Sequence, residues 1–307
     1  MEPRQIQEIH RKYSEMATRY QKLYLNLILV QLALTTFIAT LALVLARGVE
    51  QTWRNATFGI VALAFLLSIA VQSYSFWAKV ERKWFICRAV AESVKAICWR
   101  YCTRAGEFQG DDGPADSTLV YTLQQVEKEA RSQVALKFPP VTGSMEVHSD
   151  LKTLRGQAWQ QRREEYLAYR LDDQIAWYEH RTYLNSRNAK ILSGTIVTTQ
   201  VFGVAMAFYF LLLGVDLTPH VALVVTIIAS LLAWTQTRQY AELVEPYRTA
   251  STELRNIRDR VGRAGDESEF TASIVESELA ISREHISWLA RHGIPMKPRA
   301  TGERVNR

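Results

Sequence analysis

The stretch "LYLNLILVQLALTTFIATLALVLARG", residues 23–48, decides the fold. It carries no charge until Arg47. A helix of about 18–20 apolar residues crosses the roughly 30 Å of bilayer hydrocarbon at about 1.5 Å per residue. A cleaved signal peptide has a core of about 7–15 apolar residues behind a short basic stretch. Here 22 polar, helix-patterned residues come first, so the segment reads as an uncleaved span.

Three more blocks follow. They are "FGIVALAFLLSIAVQSYSFW" (58–77), "ILSGTIVTTQVFGVAMAFYFLLL" (191–213) and "LTPHVALVVTIIASLLAWTQT" (217–237). The bulk composition, 48% hydrophobic and 22% charged, looks soluble only because these blocks are averaged with polar helices. A large soluble helical bundle is the competing reading.

The basic residues flank one side of the spans. Arg4, Arg11, Lys12, Arg19 and Lys22 precede the first, and Lys79, Arg82, Lys83 and Arg88 follow the second. Arg170, Arg181, Arg187 and Lys190 precede the third, and Arg238, Arg248 and Arg255 follow the fourth. The connecting loops hold only Arg47 and Arg54. By the positive-inside tendency both termini and the central segment are cytoplasmic, in a multi-pass protein of the inner (plasma) membrane. The net charge of +6 is thus topological, and spread too widely for a nucleic-acid patch, so no nucleic acid is expected. Cys87, Cys98 and Cys102 are odd in number and fall on the cytoplasmic side, which disfavours a disulfide framework.

The order helix, span, short loop, span, helix occurs twice. An offset of 163 positions sets 58–76 on 221–239. After the second span the apolar residues run Trp77, Val80, Trp84, Cys87, Ala91, Val94, Cys98, Tyr101. After the fourth they run Tyr240, Leu243, Tyr247, Ala250, Leu254, Ile257, Val261. Alternating steps of three and four form one seam, as in left-handed coiled coils. The expected fold class is therefore an all-α membrane protein, with four transmembrane helices in two hairpins and long cytoplasmic coiled-coil-like helical extensions. Trp84, Val94, Tyr101, Tyr247, Leu254 and Ile257 are the candidate stalk or oligomer seam. With no Gly or Pro between Phe76 and Lys79, the second helix is expected to run on unbroken; Pro246 is a possible kink in the fourth.

The units are expected at 1–110 and 145–290. A linker at 111–144 carries one amphipathic helix with Ser117 as N-cap, and 291–307 forms a disordered basic tail. The last helix, Phe270 to Ala290, would turn Val275, Leu279, Ile286 and Leu289 inward.

Each span bears a stripe of small and polar residues four apart. Gln31 and Thr35 mark the first, Ser68 and Gln72 the second, Thr195 and Thr199 the third, and Thr226 and Ser230 the fourth. Such stripes serve helix packing, because small residues allow close approach and hydroxyls bond across the interface. They also suit the lining of a pore, for which Gln31, Gln72 and Gln200 are the strongest candidates, since a buried amide needs several partners. No span holds an interior Asp, Glu, Lys or Arg, which argues against a coupled transporter. His220 reads as a headgroup-level loop residue. No phosphate loop, HExxH or nucleophile set is present, and Asp172, Asp173 and Glu179 lack a metal-ligand set, so neither enzymatic activity nor a cofactor is expected. Cys98 and Cys102 read as core thiols rather than zinc ligands.

Three phrases carry a resemblance: "RKWFICRAVAESVKAICWRYCTRAGEF" after the second span, "YLAYRLDDQIAWYEHRTYLNSRNAK" before the third, and "ESELAISREHISW" near the end. With Glu92, Lys95 and Trp99 in the first, Tyr166, Arg170, Gln174 and Trp177 in the second, and Glu278 and Trp288 in the third, the chain resembles two SLATT domains in tandem. These are bacterial two-transmembrane modules associated with SMODS synthetases and SLOG sensors. The resemblance implies a membrane effector of conflict systems that oligomerises and perforates the inner membrane, with a nucleotide-signalling synthetase or sensor encoded nearby as partner. It implies no catalytic residues. A constitutive ion channel and a scaffold or sensor that recruits soluble partners are the alternatives.

Overall fold

The computed structural model describes residues 3–136, 146–214 and 218–291. The turn-rich stretch at 137–144, the restart of helix near Met145, most of the basic tail, and the Ile286 and Leu289 side chains lie outside the described residues. All the regular structure among the described residues is helical.

Among the described residues ten α-helices follow one another: α1 (Arg4–Ala46), α2 (Gln51–Ala78), α3 (Val80–Cys102), α4 (Asp112–Gln133), α5 (Ser149–Gly156), α6 (Trp159–Tyr166), α7 (Asp172–Leu213), α8 (Thr218–Arg238), α9 (Tyr240–Arg263) and α10 (Glu267–Arg291). A π-helical turn, Leu167–Leu171, joins α6 to α7. Helices α1, α2, α7 and α8 each contain a stretch long and apolar enough to cross a membrane.

The chain divides into two compact units. The membrane unit comprises Lys22–Val80 and Thr182–Val244. Its apolar residues point outward: Leu212 is 85% exposed, and Phe65, Leu66, Phe202 and Phe208 are exposed as well. Ala64 is the one buried residue of α2. A water-soluble bundle of these helices would hide such side chains, so the surface is built for hydrocarbon.

The second unit comprises Met1–Gln21, Glu81–Arg181 and Glu245–Arg307, and here the apolar residues are inside. Helix α3 is its axis. A two-stranded seam would leave the outer face of α3 wet, yet Phe85, Ile86, Val90, Ile97 and Trp99 are buried together with the seam positions Val94, Cys98 and Tyr101. A helix apolar all round is buried all round. Helix α4, the amphipathic helix of the expected linker, turns Leu119, Leu123 and Ala130 into the same core.

Three local expectations are corrected. Helix α4 begins at Asp112, five residues before Ser117, whose hydroxyl instead donates to the Gly113 carbonyl at 3.2 Å. Asp112 in the first turn is held by Arg155 and Arg104, which keep its carboxyl below the usual range, and Pro114 is tolerated there because early helical N–H groups have no partner. Helix α10 buries Phe270, Ile274, Ser277, Glu278 and Ile281, and leaves Leu279 40% exposed. Val275 packs partly buried against the core as expected, so among the described side chains only Leu279 of the expected face turns outward.

The third correction concerns the breaks. Helix α2 ends at Lys79, which adopts a left-handed conformation (φ 49°), and α8 ends at Gln239, which does the same (φ 48°). Pro246 lies within an uninterrupted α9. The breaks are 160 positions apart, where apolar spacing alone suggested 163. A three–four alternation nearly reproduces itself after a slip of one turn, so spacing cannot distinguish the two registers.

A left-handed residue other than glycine costs roughly 1–2 kcal/mol, part of which glycine recovers against its greater freedom in the unfolded chain. Lys79→Gly and Gln239→Gly are therefore each expected to stabilise the detergent-solubilised protein by about 0.5–1 kcal/mol. A lowered unfolding temperature in both variants would show that the bend is not where strain resides.

Candidate functional site

The stripe residues of the membrane unit meet different fates. The Gln31 side-chain amide on α1 donates to Ser68 Oγ on α2 at 2.6 Å. Its own carbonyl oxygen, Oε1, is buried and has no hydrogen-bond partner among the described residues. Thr36 Oγ1 and Ser230 Oγ lie 3.4 Å apart and link α1 to α8. Gly203 on α7 sits where a Cβ would meet Val224 Cγ1 of α8 at 3.1 Å, so a small residue is required there.

The threonines look after themselves. Thr35, Thr195, Thr199 and Thr226 each donate to the carbonyl four residues earlier, at 2.8–3.0 Å. That bond satisfies a hydroxyl without any partner from another helix. Gln72 and Gln200 have no such local solution. Both are exposed on the outer surface of the membrane unit, among side chains that are otherwise apolar.

At the loop end of this unit, Arg47 Nη2 lies 3.2 Å from His220 Nε2, and the His220 ring packs on Phe210 at 4.8 Å. At the opposite end of α8, Arg238 lies over the rings of Trp234 and Tyr240 at 5.7 and 5.0 Å and donates from Nε to the Tyr240 hydroxyl at 2.9 Å.

In the second unit the seam residues are core. Val94, Tyr101, Leu254 and Ile257 are buried, while Trp84 and Tyr247 pack partly buried against them. Tyr101 also anchors a polar clamp. Its hydroxyl donates to Asp116 at 2.5 Å, and Arg155, itself buried, bonds the Tyr101 and Gly110 carbonyls and Asp112. Burial raises the Tyr101 phenol above its ordinary range.

A buried ion pair went unread in the sequence. Arg170, in the π-helical turn, donates from Nε and Nη2 to both oxygens of Glu278 on α10, at 2.9 and 2.7 Å, and both side chains are almost fully enclosed. The Tyr166 hydroxyl donates to Glu278 Oε1 at 2.9 Å and lies 2.5 Å from Ser277 Oγ. The Tyr166 ring meets Trp99 of α3 edge-on at 5.6 Å. Burial lifts the Tyr166 phenol well above its usual range. Charges on otherwise apolar faces, Arg170 beside Leu171 and Glu278 between Ile274 and Ile281, were the available signal.

Asp172, Asp173 and Glu179 are ion-paired, Asp172 with Arg258, Asp173 with Lys95, and Glu179 with Arg255. The three cysteines are buried free thiols, and burial pushes Cys87 up to about 12. His10, partly buried near Glu92, is lowered by burial to about 4 and is neutral at physiological pH.

Residues 8–163 match the family model described as SMODS and SLOG-associating 2TM effector domain 3, and residues 166–288 match that of SMODS and SLOG-associating 2TM effector domain 1. No curated protein and no solved structure matches the chain.

Proposed function

The chain belongs to the SLATT family, as two 2TM effector domains in tandem, and from that premise we propose that it is a non-enzymatic membrane effector that oligomerises into a pore. Its four membrane-capable helices make it a multi-pass membrane protein. They pair as two hairpins in the inner membrane with both termini in the cytoplasm, as the distribution of Lys and Arg supports. The trigger is a nucleotide-signalling synthetase or sensor protein, in keeping with the systems in which the family's effectors act.

One observation carries the reading: Gln72 and Gln200 are exposed on the otherwise apolar surface of the membrane unit. An amide without hydrogen-bond partners costs several kcal/mol in an apolar medium. Because the threonines bond within their own helices, these two amides are the groups that gain most from a second copy of the chain or from a water-filled lumen. The seam residues are already occupied within the chain's own core, which leaves the membrane unit to provide the assembly surface.

Gln72→Leu with Gln200→Leu is expected to abolish dye release from vesicles and to reduce cross-linked oligomers in detergent, with folding intact. Unchanged leakage from the double variant would sink the role of these amides. Vesicles that stay sealed with oligomeric wild-type protein under every condition would sink the pore.

The sensor alternative has one feature in its favour. An open cleft of about 540 Å³ in the second unit is lined in part by Asp116, Tyr121, Gln124, Glu146 and Lys152, with Lys152 Nζ 2.6 Å from Asp116. Partner capture without leakage would favour that alternative.

A further inference from the structure

We propose that the membrane unit binds the headgroups of anionic phospholipids at the end of the bundle away from its loops, with Arg238 as the anchoring side chain. The contact between Arg47 and His220 brings the end of α1 to the start of α8. Since α2 starts shortly after α1 ends, and α8 shortly after α7, the cations Lys22, Lys79, Arg187, Lys190 and Arg238 all fall at the other end. Against these five, the sequence of this unit places one carboxylate there, Glu242. None of the five has an ion-pair partner among the described residues of the unit.

Arg238 is the one that is pre-positioned. Trp234 and Tyr240 hold its guanidinium plane, and Nε is committed to the Tyr240 hydroxyl. Its two terminal nitrogens have no partner among the described residues. A planar, held guanidinium with a free edge suits a phosphodiester in the bidentate geometry that arginine favours. The depth points to lipid rather than to a soluble anion. Trp77 is 79% exposed at the same end, as interfacial aromatics are, and the helix surface beyond it is apolar. Cations beside a span are attracted to anionic headgroups, each adding about fivefold in affinity.

The test is lipid retention by the full chain in native mass spectrometry, with phosphatidylglycerol competing against phosphatidylcholine. Wild type is expected to retain phosphatidylglycerol preferentially. Arg238→Gln and Lys190→Gln are each expected to reduce that preference about fivefold, whereas Arg47→Gln at the loop end leaves it unchanged. Lys190 is exposed, so its variant decides the matter if Arg238→Gln does not fold. Equal retention of the two lipids, an unaltered preference in the variants, or an equal loss in Arg47→Gln would overturn the proposal. So would displacement of phosphatidylglycerol by soluble glycerol phosphate, which would identify a free-phosphate site. Retention is read without leakage, so the outcome is independent of whether a pore forms.

Discussion

Arg170→Leu is expected to destabilise the second unit by roughly 3–5 kcal/mol, because it leaves the Glu278 carboxyl buried without its bidentate partner. The arithmetic favours a large effect. Both side chains are shielded from water, with Arg170 at 0% and Glu278 at 3% exposure. Solvent therefore cannot replace what is lost, as it does at exposed pairs such as Lys12 with Glu8. The measurement is thermal unfolding of the detergent-solubilised protein, where a fall of roughly 10 °C is expected. Arg170→Met combined with Glu278→Leu should recover most of the loss, since removing both charges leaves neither one unpaired. A single variant that unfolds at the wild-type temperature would refute the pair's structural role. A double variant no better than the single would place the cost in packing instead.

Trp99→Ala is the second large effect, with an expected loss of about 3–5 kcal/mol. The indole is fully buried in the last turn of α3 and meets Tyr166 edge-on, so truncation opens a cavity beside the ion pair. Trp84→Ala on the same helix is the comparison. Trp84 stacks on Phe85 at 4.6 Å but is only partly buried, so its loss should be clearly smaller. Unfolding temperatures ranked Trp99→Ala below Trp84→Ala below wild type are the expected order. Equal losses for the two tryptophans would mean that α3 is not the axis of the core.

The membrane-capable helices were legible because hydrocarbon imposes a requirement that no partner residue can alter. Some twenty consecutive uncharged, mostly apolar positions must face lipid or be buried, and Leu23–Leu45 meets that requirement by length and composition alone. The polar stripe was legible for the same reason, since polar groups stand out in a segment that must otherwise be apolar. Which of its members need a partner was not legible. Thr199 and Gln200 are neighbours in sequence, but one bonds back to its own helix and the other is left on the outside.

Outside the spans the sequence reading was right about helix and wrong about what surrounds it. The three–four spacing identified the seam of α3 from Val80 to Tyr101, but Phe85, Ile86 and Trp99 on its other faces became core only because α4, α6 and α10 contribute to the same cluster. The bends at Lys79 and Gln239 carry no glycine or proline to announce them. Helical periodicity is a local property, written into the order of residues by the 3.6-residue turn. The conformation of a single strained residue, or the burial of a charge such as Glu278, depends on whether distant helices supply the compensating contacts, and only the folded arrangement of the chain determines that.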